Sequence, residues 1–424
     1  MPMFSNPFFV GGPVPPKYFV GRNSQIRIAF DQINKCAHAA FYGSSGIGKS
    51  SFVKFLSVPE VWQEMGIDIS KFYIVSLNCK GITPFTSEKF WGELVSILRI
   101  QVAGNLEIET AINDLRDADV GQREFRQLVG IVGAQKKLLL LLLDDFDWTL
   151  TVNKEYDDSK MLSFLNEFRN LAVHSDESQY LSTVITSFRN IAELGPSTSC
   201  NSGSPWYNHY LVCSLPSFDR SEVEKHFFNS ESPLFIPMDS KLKSSILGIT
   251  YGNPCLLQIA GYLIHNIYQD EKTPNIRIFS EEFFSRANHF FKNTWERSTE
   301  KERVLLMLIA LKGVNGRLNN QSYDLNDLDR ILSQNNQKLL DLKARDIIKQ
   351  IDSKPLFQYV FSSSMMELWV LREIENTGDK LIEKREKILL NLMSREQFNN
   401  VKNLLQRVWK EKESVTVFLK QMIS

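Results

Sequence analysis

Short apolar runs alternate with longer stretches of helical spacing between residues 18 and 210. The apolar runs lie at 37–42, 72–77, 138–143, 182–186 and 210–215, and the helical stretches include 88–102 and 121–135. The runs are continuously apolar, which predicts strands that are buried on both faces. Strands that alternate with helices predict an α/β fold, in which a parallel sheet carries helices on both faces.

The strand pattern stops after Leu215, and helical spacing replaces it. Four helices are predicted at 221–228, 242–248, 255–268 and 281–292, and Asp219 or Ser221 is expected to cap the first of them. Three further helices, at 298–311, 325–332 and 336–345, precede two short β runs at 347–351 and 356–361. Three helices followed by a hairpin are typical of a winged helix, and the chain beyond residue 376 is helical and amphipathic.

These changes of pattern predict five segments in the chain of 424 residues, for which length alone suggests about three domains. They are an extended N-terminal segment (1–17), an α/β core (18–215), a helical lid (216–293), a winged helix (294–375) and a helical tail (376–424).

Composition narrows the class of protein. The chain has 49 Lys and Arg against 49 Asp and Glu, so the protein as a whole does not resemble a nucleic-acid binder. The longest apolar run, 138–143, is far too short to span a bilayer, and the first residues do not read as a signal peptide. Five widely spaced cysteines indicate a reducing compartment, and we therefore predict a cytoplasmic protein without a membrane partner.

One motif carries the strongest chemical signal. It matches the phosphate-binding pattern G-x-x-x-x-G-K-[ST] over Gly43, Ser44, Ser45, Gly46, Ile47, Gly48, Lys49 and Ser50. It follows an apolar run and opens a helix beginning at Ser51, which we count among the nucleotide contacts. Glycines let the backbone wrap around phosphates, and the helix N-terminus favours negative charge. Lys49 is expected to reach the β- and γ-phosphates, and Ser50 to ligate Mg²⁺.

Acidic residues follow the third apolar run. Asp144 is expected to hold Mg²⁺ through water, and Asp145 lies where a base could orient an attacking water. The next run ends in Thr186-Ser187-Phe188-Arg189, where polar groups could sense the γ-phosphate and Arg189 could contact it. A solvated loop arginine is the alternative interpretation of Arg189.

The chain resembles AAA+ and STAND ATPases (signal-transduction ATPases with numerous domains), most of all bacterial STAND proteins. The resemblance covers roughly residues 7 to 375 and rests on Tyr18-Phe19-Val20-Gly21-Arg22, Leu142-Leu143-Asp144-Asp145, Ser204-Pro205-Trp206-Tyr207-Asn208 and Gly252-Asn253-Pro254. It implies that Val20 and Gly21 lie against adenine, that Arg22 is near the nucleotide or the lid, and that Pro254 closes over the adenine and sugar. Eukaryotic relatives carry a Met-His-Asp motif in the winged helix, whereas this chain has Met365-Met366-Glu367 and lacks that histidine.

The resemblance implies an ATP/ADP-binding molecular switch with Mg²⁺ and slow ATP hydrolysis, in bacterial signalling or defence. Expected partners are the nucleotide, further copies of the chain in the ATP state, and an effector or adaptor at the tail. The alternative is an initiator- or transposition-type AAA+ ATPase that binds DNA through the winged helix. Cys255 stands where initiators carry a lid arginine, and no arginine lies between Asn190 and Asp219, so the switch is favoured over DNA binding. A simple NTPase that does not switch remains a third interpretation.

Overall fold

The computed structural model describes residues 6–115, 120–196, 205–235, 238–270, 275–314, 331–351 and 358–374. They form two compact units. The α/β unit comprises Pro13–Gly43 and Gly48–Leu215. The C-terminal unit comprises Ser44–Ile47 together with the described residues up to Gly12 and from Pro216 onward. Within the described residues, no helix combines the length and the apolar character needed to cross a bilayer.

A five-stranded parallel sheet forms the centre of the α/β unit. Its strands are β1 (His38–Tyr42), β2 (Phe72–Asn78), β3 (Leu138–Asp144), β4 (Leu181–Ser187) and β5 (Tyr210–Ser214). Their order in the sheet is β2-β3-β4-β1-β5, and every neighbouring pair is parallel. The strands expected from the apolar runs are therefore confirmed. The order places β4 between β1 and β3, so the carboxyl ends of these three strands meet at one edge.

Helices flank this sheet, as an α/β fold requires. They are α1 (Asn23–Asn34), α2 (Lys49–Leu56), α3 (Pro59–Glu64), α4 (Ser87–Gln101), α5 (Leu106–Asp114), α6 (Gln122–Ala134) and α7 (Asp158–Arg169). The core is an apolar cluster in which the leucines at positions 139–143 of β3 are fully buried. Phe90 of α4 packs edge to face on Phe164 of α7, and Trp91 of α4 packs tilted on Phe125 of α6. Because both faces of β3 are covered, its sequence is continuously apolar.

The C-terminal unit is mainly helical. Its elements are α8 (Arg220–Phe227), α9 (Ser240–Thr250), α10 (Pro254–Gln269), α11 (Ile276–Glu296), α12 (Glu300–Val314), α13 (Asn336–Ala344), and the antiparallel strands β6 (Ile348–Ile351) and β7 (Gln358–Phe361). Asp219 caps α8, because its side chain accepts a hydrogen bond from the Glu222 amide. Helix α11 starts five residues before the predicted helix, where the Asn275 side chain caps it by accepting from the Arg277 and Ile278 amides.

Two expectations for the C-terminal unit lie outside the described residues. They are the tail from residue 376 and most of the predicted helix at 325–332. The order of α12, α13, β6 and β7 is as expected, while the winged-helix assignment and the five-segment division stay predictions.

A buried histidine pair lies in the α/β unit. His38 Nε2 donates to the Ala172 carbonyl at 3.0 Å, and Nδ1 lies 2.8 Å from the Thr183 hydroxyl. The His209 ring packs edge-on against His38, with 5.2 Å between the ring centroids. Burial lowers the pKa of His38 to about 4, and burial together with the charges of His38 and Arg169 lowers the pKa of His209 to about 3.

These shifts predict acid sensitivity. An unfolded histidine binds its proton near pH 6.5, so between pH 6.5 and 4 the unfolded state holds more protons and stability falls as pH falls. His38 contributes about 3 kcal/mol to this loss. We expect urea unfolding at pH 7 and pH 4.5 to show a smaller loss for His38→Gln than for the wild type. An equal loss in both proteins would contradict this assignment.

Candidate nucleotide-binding site

The phosphate-binding motif forms the loop between β1 and α2, as the sequence predicts. Gly46 and Gly48 have φ values of +69° and +96°, which side chains with a Cβ rarely adopt, so the two glycines allow this loop to turn. Lys49 opens α2, is buried, and donates from its amino group to the Gly43 carbonyl at 2.9 Å. The lysine ammonium and the N-terminus of α2 therefore lie beside the loop, an arrangement that attracts anions.

The tip of β4 connects this loop to the acidic end of β3. The Gly43 amide donates to the Ser187 carbonyl at 3.1 Å. The Thr186 hydroxyl donates to Asp144 Oδ1 at 2.6 Å. The structure thus brings Lys49, Asp144 and the β4 tip to one edge of the sheet, although they lie far apart in the sequence.

Asp144 is buried and surrounded by groups that stabilise its charged form. Burial and the nearby charge of Asp145 raise the pKa of its carboxyl group. Hydrogen bonds from Ser50 and Thr186 and the charge of Lys49 oppose this rise. The hydroxyl of Ser50 and the carboxylate of Asp144 are therefore neighbours, and such oxygen ligands suit Mg²⁺.

Asn78 is a site residue that the sequence analysis missed. The register of the sheet pairs Asn78 with Asp144, and Asn78 Nδ2 donates to Asp144 Oδ2 at 3.4 Å. The predicted strand ended at Leu77, one residue too early. A polar residue directly after a buried run was the available signal, but only the pairing of β2 with β3 gives it a partner.

Asp145 has a constrained backbone. Its φ of +50° is uncommon for a residue with a side chain, and its amide donates to the Thr186 hydroxyl at 3.0 Å. Thr186 therefore contacts both acids. The side chain of Asp145 is half-buried, and its action as a base stays a prediction.

Phe188 and Arg189 follow the β4 tip. Phe188 is buried, and its ring centroid lies 5.9 Å from the ammonium of Lys49. Arg189 is 8% exposed, and its carbonyl accepts a hydrogen bond from the Ser187 hydroxyl at 2.5 Å. The burial argues against a solvated loop arginine, whereas a contact of Arg189 with the γ-phosphate stays a prediction.

The residues assigned through the family resemblance lie in both units. In the α/β unit, Gly21 and Arg22 have φ values of +72° and +64°, Arg22 is buried at the start of α1, and Val20 is half-buried. Ser51, after the motif, accepts a hydrogen bond from the Val14 amide at 3.0 Å. In the C-terminal unit, Pro254 is the first residue of α10. Their contacts with a nucleotide stay predictions.

No protein-family profile matches the chain, and no curated protein matches it. Among solved structures it is similar to a Walker-type ATPase of Pyrococcus abyssi, with 12% identity, 86% of this chain and 99% of that chain covered, and a TM-score of 0.55. It also aligns with the ORC2 protein of Aeropyrum pernix, at 13% identity over 89% of this chain and 97% of that chain, with a TM-score of 0.49. Together with the parallel sheet and its loop, the first likeness shows that the chain has the P-loop NTPase fold.

Proposed function

We propose that the α/β unit binds ATP and ADP with Mg²⁺. The observation that carries this proposal is the convergence of Lys49, Ser50 and Thr186 on Asp144, beside a loop that turns at Gly46 and Gly48. Cationic and amide donors suit phosphates, and the serine and aspartate oxygens suit the metal ion that accompanies them. Mg²⁺ supplies charge neutralisation at the β- and γ-phosphates when it is bound.

The protein is also proposed to hydrolyse ATP to ADP and phosphate, slowly. Asp145 would accept the proton of the attacking water, and the hydrogen bond from its amide to the Thr186 hydroxyl holds its backbone at the tip of β4. Residues 190–219 contain no arginine, so that segment supplies no arginine finger. Arg189 is the candidate for sensing the γ-phosphate.

The slow hydrolysis is proposed to serve a STAND-type switch in bacterial signalling or defence. ADP would hold the C-terminal unit in a closed arrangement, and ATP would release it for assembly with further copies of the chain. Ser44–Ile47, half of the phosphate-binding motif, belongs to the C-terminal unit. This supports the proposal that nucleotide bound at the motif acts on that unit. An effector or adaptor would bind the tail beyond residue 376.

DNA binding is the alternative, and the described residues favour it less. Helix α13 is the last helix before the hairpin of the predicted winged helix, and we take it as the candidate DNA-recognition helix. It carries Lys338 and Lys343, and Arg345 follows just after its end. Arg345 is buried and paired with Glu302, while Lys338 lies 3.6 Å from the carboxylate of Asp341. Few of these cations are therefore placed to contact phosphates of DNA.

Removal of the Lys49 charge tests nucleotide binding. We expect Lys49→Ala to lose detectable ADP binding in calorimetry, because the variant removes the ammonium that is expected to neutralise the phosphates. Lys54→Ala, an exposed lysine in the same helix, is the matched control and should bind as the wild type does. Equal affinity of wild type and Lys49→Ala would refute the proposed site.

Removal of the Thr186 hydroxyl tests the metal site. We expect Thr186→Val to raise the Mg²⁺ concentration needed for half-maximal ATP hydrolysis by about 5-fold, because Asp144 loses a hydrogen bond to its charged form. Thr186→Ser keeps the hydroxyl and should restore the wild-type requirement. An unchanged Mg²⁺ requirement in Thr186→Val would show that this bond does not tune the metal site.

The hydrolysis step is tested at Asp145. We expect Asp145→Asn to retain ADP affinity and to lose ATP turnover, since the amide cannot accept the proton of water. Wild-type turnover should lie well below one per second, because an arginine finger contributes a factor of about 10³–10⁵ where it is present. Phosphate release measures the turnover of both proteins, and calorimetry measures their ADP affinity. A wild-type turnover of many per second would contradict the slow, switch-like mechanism.

A further inference from the structure

Ser45 and Gly46 of the motif belong to the C-terminal unit and hydrogen-bond to two helices of that unit. The Cys255 amide, in the first turn of α10, donates to the Gly46 carbonyl at 3.1 Å. The Ser45 hydroxyl donates to Asn293 Oδ1 in α11 at 2.6 Å. Both bonds join residues of the motif to positions more than 200 residues further along the chain.

Close packing accompanies these hydrogen bonds. A Cβ added at Gly46 would lie 2.6 Å from the Cβ of Cys255 and 2.8 Å from the Phe290 ring. No side chain larger than hydrogen fits in this space. Gly46 thus serves the turn of the loop and also permits this close approach.

The hydrogen bond to the Gly46 carbonyl constrains more than the oxygen atom. The peptide group between Gly46 and Ile47 is planar, so a fixed carbonyl also fixes the direction of the Ile47 amide on the opposite side. Amide groups of this loop are the donors that a phosphate would use in a P-loop. A carbonyl repels phosphate, so its engagement by Cys255 leaves the chemistry of phosphate binding intact.

Helices α10 and α11, which contact the loop, are stabilised by a cap and by packing against each other. Asn253 caps α10 by accepting from the Cys255 and Leu256 amides at 3.0 and 3.2 Å, and α10 packs along α11. Phe290 and Asn293 are three residues apart in α11, which places them on one face of that helix. A shift of α11 would therefore move both contacts of the loop together.

We propose that Phe290, Asn293 and the Cys255 amide form a clamp that positions the phosphate loop, so that α10 and α11 set the affinity for nucleotide. The clamp residues are positioning residues, because they act on the loop rather than on phosphate. This inference rests on the proposed nucleotide binding.

The test is a double-mutant cycle on the Ser45–Asn293 bond, read by calorimetry with ADP. Ser45→Ala and Asn293→Ala are each expected to weaken ADP binding by about 5-fold, because the loop loses its preorganisation. The double variant should bind no more weakly than either single variant, since all three lose the same bond. Lys292→Ala, an exposed neighbour in α11, is the matched control and should leave ADP affinity unchanged.

Hydrogen exchange of nucleotide-free protein gives a second measurement that does not depend on binding. Asn293→Ala should speed amide exchange across residues 43–48 and leave β1 unchanged. Wild-type ADP affinity in Asn293→Ala, tighter binding in it, or additive losses in the double variant would each overturn the clamp. If the wild type binds no ADP at all, the proposed function fails, and exchange at 43–48 still decides whether α11 restrains the loop.

Discussion

The burial of one carboxylate constrains the α/β unit. Asp144 lies at the end of a strand of leucines and is almost fully shielded from water. A buried charge is costly unless hydrogen bonds and opposite charges compensate it. In this chain the compensation comes from the start of α2, with Lys49 and Ser50, and from the ends of β4 and β2, with Thr186 and Asn78.

This requirement explains the importance of the strand order. With β4 between β1 and β3, Thr186 can reach Asp144 while the carbonyl of Ser187 accepts from the Gly43 amide. The phosphate loop and the acid are therefore held by one strand. In the proposed mechanism, a change of charge at the phosphates alters the contacts at the β4 tip. The proposed clamp connects Ser45 and Gly46 of the same loop with helices α10 and α11.

Local and buried features could be predicted from the sequence, and long-range partners could not. The apolar runs locate each strand of the parallel sheet to within one residue at either end, because burial on both faces produces continuous apolar runs. The motif at residues 43–50 is recognisable because its glycines and lysine lie at fixed spacings within eight consecutive residues. The start of α11 was missed, since the Asn275 cap lies before the apolar period begins. Asn78 and Asn293 were missed because strand register and helix packing, which a single sequence does not specify, give them their partners.

We propose that the loop and Asp144 form a site for a magnesium nucleotide, and a crystal structure with Mg²⁺ and ADP would show whether they do. We expect Lys49 to leave the Gly43 carbonyl and to bond the β-phosphate, within the usual range of about 2.7–3.2 Å, and the Ser50 hydroxyl to ligate the metal. A loop that still holds Lys49 against Gly43 at saturating ADP, with nucleotide elsewhere or absent, would contradict this proposal.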